Sequence, residues 1–335
     1  MRALIWGVVL ACLACIAWWG LAAFGLHQGL TTWIEDRRQD GWQAEMSDIE
    51  MSGFPSTVSA RISMLDIADP ETGVAVSLPN LTMSFRTLWP GDMRLQLPDQ
   101  QMTFAAPDGR IHVLAQEAVA DLNLHPGPDL ELENLSLTSG PFLFDDNANI
   151  SLFAGTDATL ALRQADDVPN RYQLRFEVTE FAPGTKARAA LRLPDDWPLI
   201  FDDLIATARV TFDTPIDRRA LDDRRPQPQL IDIQRVEARW GDLRLLSTGT
   251  LNRDAQGLAD GTLTLKAENW QKILDLAETS GLVPSQFRPQ IEGALRGLAS
   301  GTGSTNDLDV TLTFSGGLTR LGFIPLGPAP SMVLR

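Results

Sequence analysis

The chain begins with an apolar run, residues 3–26, that contains no charged side chain. A helix needs about 20 predominantly apolar residues to cross the hydrocarbon core of a bilayer, so this run is long enough to span it. Most of the remaining chain alternates apolar and polar residues, which is typical of half-buried β-strands. The sequence therefore predicts one membrane helix followed by a large β-rich body on one side of the membrane.

Three processing outcomes fit the apolar run. A typical signal-peptide core has about 7–15 apolar residues, and this run is longer. Its length favours an uncleaved signal anchor that comprises residues 1–28. Small residues at Ala22 and Ala23 leave open a cleaved signal peptide and a soluble body. Cleavage before Cys12, as in a lipoprotein, is the third alternative, although few apolar residues precede this cysteine.

The flanking charges do not determine the orientation, because Arg37 and Arg38 after the run offset Arg2 before it. Long domains are translocated largely regardless of charge, so we expect a single pass through the inner membrane, with the body in the periplasm of a Gram-negative cell. Trp18 and Trp19 fit either an interfacial aromatic belt or ordinary apolar filling, and the sequence does not separate the two.

Composition excludes several classes of function. The net charge of −15 disfavours binding to nucleic acid and broad electrostatic docking on anionic lipid. The two cysteines, Cys12 and Cys15, both lie in the apolar run, so the body has no disulfide and no thiol chemistry.

The body is expected to be mainly β. Residues 29–46 look like a juxtamembrane helix, and period-two alternation then begins in the body, residues 47–335. Turn residues such as Asp69-Pro70 and Pro79-Asn80 separate the strands, which predicts antiparallel meanders. About fifteen strands are too many for one flat sheet, so we expect a long curved antiparallel sheet that forms a groove, a half-barrel or a sandwich. Two similar halves, 47–185 and 186–335, are a further hypothesis.

A helical hairpin is predicted near the C-terminus, between Asn269 and Ser300. Asn269 is a suitable N-cap for a first helix that ends at Gly281, and Pro284 precedes a second helix. Such a hairpin most simply covers an open edge or end of a sheet. A lid over an apolar cavity is the alternative.

The chain offers no catalytic or metal-binding pattern. His27 flanks the membrane segment, and His112 and His125 lie in separate strand runs without an orienting partner. Residues 145–156 alternate oxygen donors like a calcium loop, but Ile150 and Thr156 replace its obligatory glycine and glutamate, so a β-turn is the better interpretation. We therefore expect neither an enzyme nor a bound metal or cofactor.

Short motifs give the chain a resemblance to a known family. They are Gly41-Trp42-Gln43-Ala44, Gly53-Phe54-Pro55, Leu88-Trp89-Pro90 and the ending Gly322–Pro328. With them the chain resembles the alphaproteobacterial domain-of-unknown-function 2125 family and, more distantly, the AsmA-like envelope proteins. The resemblance implies an inner-membrane anchor, a long curved sheet with an apolar inner face, and a role in envelope maintenance or lipid handling, but no catalytic residues. In physical terms, Phe54 is expected to anchor a core and Trp89 to be a buried ring in a turn.

Two functions follow as hypotheses. In the first, the sheet of a membrane-anchored envelope protein binds or guides an apolar ligand such as a lipid. In the second, a non-catalytic structural or assembly factor with a closed core contacts other envelope proteins. Periodicity does not separate them, because a strand faces a ligand and a core with the same alternation. The residues proposed to line an apolar groove are Ile62, Met64, Val76, Met83, Phe104, Phe176 and Phe212.

Overall fold

The computed structural model describes residues 2–194, 197–220, 225–281, 283–300, 306–322 and 324–334. The fold class is confirmed: a long apolar helix precedes antiparallel β-structure, and short helices lie near the C-terminus. The chain divides into two compact units. Unit 1 comprises residues 1–126 and 135–149, and unit 2 comprises residues 127–134 and 150–335. This division lies earlier in the chain than the hypothetical boundary at residue 185.

The N-terminal helix, α1, runs from Arg2 to Gln39. By length and composition, its Ile5–Gln39 portion could cross a membrane. The helix ends before the limit of residue 46 that the sequence suggested, because Gly41 adopts a left-handed conformation (φ 89°) and reverses the chain. Arg38 Nε then donates a 2.6 Å hydrogen bond to the carbonyl oxygen of Ala44, which already belongs to a strand.

Unit 1 is built from antiparallel strands. The first two pair with opposite halves of the third, and the fourth pairs along the whole length of the third. On its other side the fourth strand pairs with the fifth and the sixth. The fifth strand also pairs with the eighth, and the sixth pairs with the seventh, which in turn pairs with the tenth. The strands are β1 (Gln43–Met46), β2 (Ile49–Ser52), β3 (Thr57–Asp69), β4 (Val74–Arg86), β5 (Trp89–Gln96), β6 (Met102–Ala106), β7 (Gly109–Ala115), β8 (Val119–Leu124), β9 (Leu132–Ser139), which runs from unit 2 into unit 1, and β10 (Phe142–Asp146).

The strand break that the sequence predicts at Pro79-Asn80 is wrong, because β4 continues through both residues. β6 pairs with β4 only at Ala75–Ser77, and β5 pairs with it only at Thr82–Arg86. Pro79 lies in the gap between these two partners, where a missing backbone donor is tolerated on that side of the strand.

Unit 2 is a meander in which each strand from β12 to β20 pairs antiparallel with the next. β11 pairs with the end of β13. The strands are β11 (Ser151–Gly155), β12 (Asp157–Gln164), β13 (Arg171–Pro183), β14 (Phe201–Phe212), β15 (Pro228–Trp240), β16 (Leu243–Arg253), β17 (Ala259–Glu268), β18 (Asp307–Ser315), β19 (Leu318–Leu321) and β20 (Ile324–Pro328), and a short helix, α2 (Thr185–Ala190), follows β13.

The predicted helical hairpin is present between β17 and β18. It consists of α3 (Trp270–Thr279), a 3-10 turn (Ser285–Phe287) and α4 (Arg288–Ser300). Asn269 precedes α3 as expected, but its side chain does not cap the helix. Its Nδ2 instead donates a 2.7 Å hydrogen bond to the carbonyl oxygen of Asp242.

Candidate functional site

One face of the unit 2 sheet is apolar across the seven strands from β12 to β18. Residues that pair directly across antiparallel strands point to the same face of a sheet, so the register shows which side chains share that face. One row lies near the hairpin and a second lies beside it in the middle of the sheet. The rows are Ala158, Val178, Leu204, Ala238, Leu245, Ala267 and Leu308, then Leu160, Phe176, Ala206, Val236, Ser247, Leu265 and Val310. We call this surface the apolar face.

A β-bulge in β15 keeps the apolar face continuous. Val236 pairs with Ala206, whereas Ile233 pairs with Ala208, so β15 contains one residue more than β14 between these pairs. The extra residue shifts the alternation of β15 by one position. Ile233 and Val236 therefore both face the apolar side, although they are three positions apart in the chain.

The opposite face of the same strands is charged, and its side chains are paired with one another. Glu237 lies at its centre with only 4% of its side chain exposed, and it accepts hydrogen bonds from Arg235 and from Arg244 Nε (2.8 Å). Burial by itself raises the pKa of Glu237, but these two arginine contacts outweigh it and hold the pKa below its ordinary value. Arg239 and Asp203 form a further pair at 2.5 Å. We call this surface the charged face.

The two ends of the apolar face are covered, and its middle is partly exposed. At one end the α3–α4 hairpin packs Trp270 and Leu274 against Ala267 and Leu308. At the other end the C-terminal segment 329–332 packs against Phe314, next to Leu251 and Leu263. Between these covers, Leu160 remains 37% exposed, and Leu245 in the row nearer the hairpin remains 38% exposed. The hairpin thus covers one end of the sheet, as its simpler interpretation predicted.

Two of the seven proposed groove residues belong to the apolar face. Phe176 is half-buried in the middle row, directly opposite Leu160 and Ala206. Phe212 is buried near the covered end, where its ring meets the ring of Tyr172 edge-on at 5.8 Å. Phe176 is therefore accessible to a ligand from solvent, whereas Phe212 contributes to internal packing.

The other five proposed residues lie on two opposite faces of the unit 1 sheet. Ile62 is buried opposite Leu81, and Met83 and Met64 share that face at neighbouring positions of the β3–β4 ladder. Val76 pairs directly with Phe104 on the other face, and Phe104 is partly exposed. Whether any of the seven residues contacts a ligand stays a prediction.

Two of the family-like motifs meet at one end of the β3–β4 hairpin. Thr57 pairs with Arg86, so Gly53-Phe54-Pro55 and Leu88-Trp89-Pro90 leave the same end of the sheet. The expectation that Phe54 anchors a core is wrong, since its side chain is 52% exposed. The half-buried ring of Trp89 covers Gly91, where even a methyl group would lie within 2.4 Å of the indole. At the C-terminal motif, Phe323 lies outside the described residues.

Smaller concavities have mixed linings. A cleft of about 260 Å³ in unit 1 is lined by Val76, Ile67, Glu45 and Arg110, among others. A cleft of about 420 Å³ in unit 2 is lined by Trp240 and by Lys272, which forms a 2.6 Å ion pair with Asp242. Among the residues that the structure describes, no three histidine, cysteine, aspartate or glutamate side chains are grouped as a metal site requires.

Sequence reasoning missed most of the apolar face. Leu160 and Leu245 lie in strand runs that alternation reveals, but nothing local indicates that they share a face with Phe176 and Val236. The face is defined by the register of strands that are distant in the chain. The one local signal is the change of phase between Ile233 and Val236, which marks the bulge.

Comparisons with known proteins identify a family and no specific relative. Residues 19–330 match the model of a family described as "Uncharacterized protein conserved in bacteria (DUF2125)". No curated protein matches the chain.

Proposed function

Because the chain belongs to the DUF2125 family, whose description names no activity, we propose its function from its own geometry. The protein is a membrane-anchored envelope protein whose apolar face binds a lipid acyl chain, either to hold the lipid or to guide it. The role needs no catalytic group. The distant resemblance to AsmA-like proteins, which also implies lipid handling, agrees with this proposal.

The observation that carries the proposal is the contrast between the two faces of the unit 2 sheet. The charged face satisfies its own ions through pairs such as Arg244–Glu237. The apolar face instead leaves Leu160 and Leu245 more than a third exposed between two covered ends. Contiguous apolar surfaces of this kind mark sites for apolar ligands or membranes.

The dimensions suit an acyl chain. Neighbouring strands lie about 4.8 Å apart, so the six intervals from β12 to β18 span about 29 Å. The hydrocarbon core of a bilayer is about 30 Å thick and is filled by two acyl chains end to end, so one acyl chain spans about half of the apolar face. One lipid tail can thus lie across the strands along the row that contains Leu160 and Phe176 and remain in contact with apolar side chains.

The position of α1 supports an uncleaved anchor. The indoles of Trp18 and Trp19 donate hydrogen bonds to backbone carbonyl groups of unit 1, and Ala23 and Ile34 are buried side chains of the same helix. Cleavage near Ala22 or Ala23 would remove both indoles from these contacts. We infer an uncleaved protein in the inner membrane with its body in the periplasm, the location that the sequence predicts, and a mass measurement of the mature N-terminus tests the anchor against a cleaved, soluble form.

The lipid proposal is tested by photocrosslinking in cells. A benzophenone amino acid replaces Leu160 on the apolar face and, as the matched control, Thr159, the adjacent residue whose side chain points to the other face. We expect adducts with the mass of a phospholipid at position 160 and none at position 159. Equal labelling at both positions, or no lipid at position 160 in a folded protein, would refute the proposal.

A second candidate function, an assembly factor, is supported by the exposed side chains near the last strand. Leu318, Ile324 and Leu326 are exposed apolar residues on β19 and β20. Pro325 and Pro328 interrupt the backbone donors of β20, so a partner would bind these side chains rather than extend the sheet. The same crosslinker at Leu326 yields protein adducts if this function is correct.

A further inference from the structure

The end of the β3–β4 hairpin where the two motifs meet is held beside the apolar part of α1. Trp18 Nε1 donates a 3.0 Å hydrogen bond to the carbonyl oxygen of Thr87, and Trp19 Nε1 donates a 2.7 Å bond to that of Thr57. The ring of Trp19 also meets the ring of Phe54 edge-on at 5.8 Å. We call the two segments 51–60 and 87–91 the tip.

The position of the tip along α1 determines its depth. Trp19 precedes the end of the apolar run at Leu26 by seven residues. At 1.5 Å per helical residue, this places the contact about 10 Å inside the apolar stretch. If α1 spans the bilayer up to Leu26, the tip is drawn below the membrane surface with it.

The composition of the tip suits that environment. Segments 51–60 and 87–91 contain no charged residue. Phe54 is 52% exposed and Leu88 is 87% exposed, and both are large apolar side chains that gain by leaving water. Charges flank the tip: Arg86, opposite Thr57, forms a 3.4 Å ion pair with Asp92. The exposed side chain of Arg86 is long enough to extend toward a lipid phosphate while its stem stays apolar.

Several backbone groups of the tip are hydrogen-bonded, and paired backbone groups are the strictest requirement for irregular structure in lipid. The Thr57 amide and hydroxyl donate to the carbonyl of Gly53 at 3.1 and 2.9 Å. The Thr87 hydroxyl donates to Pro55 and its amide to Ser56, both at 3.0 Å. Together with the two indole bonds, these contacts provide donors for five carbonyl oxygens that would otherwise face hydrocarbon.

We propose that the tip is a second membrane contact, in which Phe54 and Leu88 insert into the outer leaflet of the bilayer that α1 spans. The inference rests on the proposed anchoring of α1. It gives Trp18 and Trp19 a specific role, since their indoles fix the tip at one level of the helix. The tip then fixes the β3–β4 hairpin of unit 1 at the membrane surface, which a single helix alone does not.

The test measures depth with spin labels on the full-length protein in vesicles of phosphatidylethanolamine and phosphatidylglycerol. Cys12 and Cys15 are first replaced by alanine, and single cysteines are then introduced as Phe54→Cys or Leu88→Cys. Leu10→Cys reports the anchor, and Glu71→Cys reports the opposite end of the same hairpin, where the side chain is exposed. Accessibility to oxygen against a water-soluble nickel complex gives the depth of each label.

We expect the labels at positions 54 and 88 to behave like the one at position 10, several-fold more accessible to oxygen than to nickel, and the label at position 71 to behave like one in water. Aqueous labels at 54 and 88 with a buried label at 10 would overturn the tip while leaving the anchor intact. An aqueous label at 10 would refute the anchoring itself. The double variant Trp18→Phe/Trp19→Phe should shift the tip labels toward water, whereas Trp33→Phe should not. Unchanged tip labels in the double variant would show that the indoles do not hold the tip.

Discussion

The substitution Phe176→Asp separates an open lipid-binding face from a closed core. Phe176 is half-buried, so in the free protein an aspartate at this position keeps contact with water. Full burial of such a side chain is worth about 1.5–3 kcal/mol, and Phe176 has most of that burial, so its loss lowers the free energy of unfolding by about 1–2.5 kcal/mol. The variant is therefore expected to fold.

Lipid binding is affected far more strongly than folding. An acyl chain that covers position 176 would remove the carboxylate from water, which costs several kcal/mol for an unpaired ion. A penalty of at least about 3 kcal/mol corresponds to more than a hundredfold loss of affinity, because every 1.4 kcal/mol is a factor of ten.

The assay compares two variants of the full-length protein. Thr207→Asp is the matched control, since Thr207 lies on the charged face between Arg175 and Arg235 and can pair with either. Urea unfolding and titration with a fluorescent short-chain phospholipid are measured for both. Undiminished binding by folded Phe176→Asp would refute the lipid site. A loss of stability typical of a core substitution, about 3–5 kcal/mol, would instead indicate a closed face.

Three further predictions concern the framework of unit 2. Tyr172→Phe removes the acceptor of the Ile216 amide (3.0 Å) and should lower the free energy of unfolding by about 1–2 kcal/mol in urea. Because burial raises the pKa of Tyr172 above 10.0, the tyrosinate absorbance of the folded protein should appear only above that pH, and the folded protein should lose stability as pH rises from 10.0 through the folded pKa. Glu237→Gln should cost about 1–2 kcal/mol at neutral pH, after discounting for the partly exposed arginines. Since the folded pKa of Glu237 lies below 4.5, the free energies of unfolding of wild type and variant, measured in urea, should converge as pH falls through this pKa. A difference that stays constant with pH would show that the charge of Glu237 is not its cause. Gly249→Ala should destabilise by about 2 kcal/mol or more, because its Cβ would lie 2.3 Å from a carbonyl oxygen of the neighbouring strand, whereas Gly293→Ala in α4, with open space around it, should stabilise by about 1 kcal/mol; melting shifts of the same sign would contradict this.

The elements that local pattern determines could be predicted from the sequence. Alternation in Leu308–Phe314 and the apolar stripe of α3 depend only on neighbouring residues, and both elements are present. The end of α1 was less predictable: Trp42 and Met46 suit a helix, but Gly41 reverses the chain and β3 offers a partner for a strand. Pairing with a distant segment overrides a weak local preference.

The site was less predictable than the fold, for a related reason. The proposed groove residues share only their large apolar side chains, yet Ile62 and Phe212 are buried, and Phe54, which was expected to anchor a core, is exposed. Exposure depends on what covers a residue, and register and covering elements are not local properties. Residues such as Ala206 and Leu160 complete the apolar face, but nothing in their residue type indicates that they belong to one partly exposed surface.

The order of strands in unit 2 has a consequence for how this chain folds. From β13 to β20, each strand pairs with the one that immediately precedes it in the chain, so most of these pairings are close in sequence. In unit 1, by contrast, β5 pairs with β8 and β7 pairs with β10, which are both three strands later in the chain. Low contact order shortens the search for partners. When the chain emerges starting from its N-terminus, the strands of unit 2 can therefore pair one after another. Each new strand then adds to a strand that has already emerged.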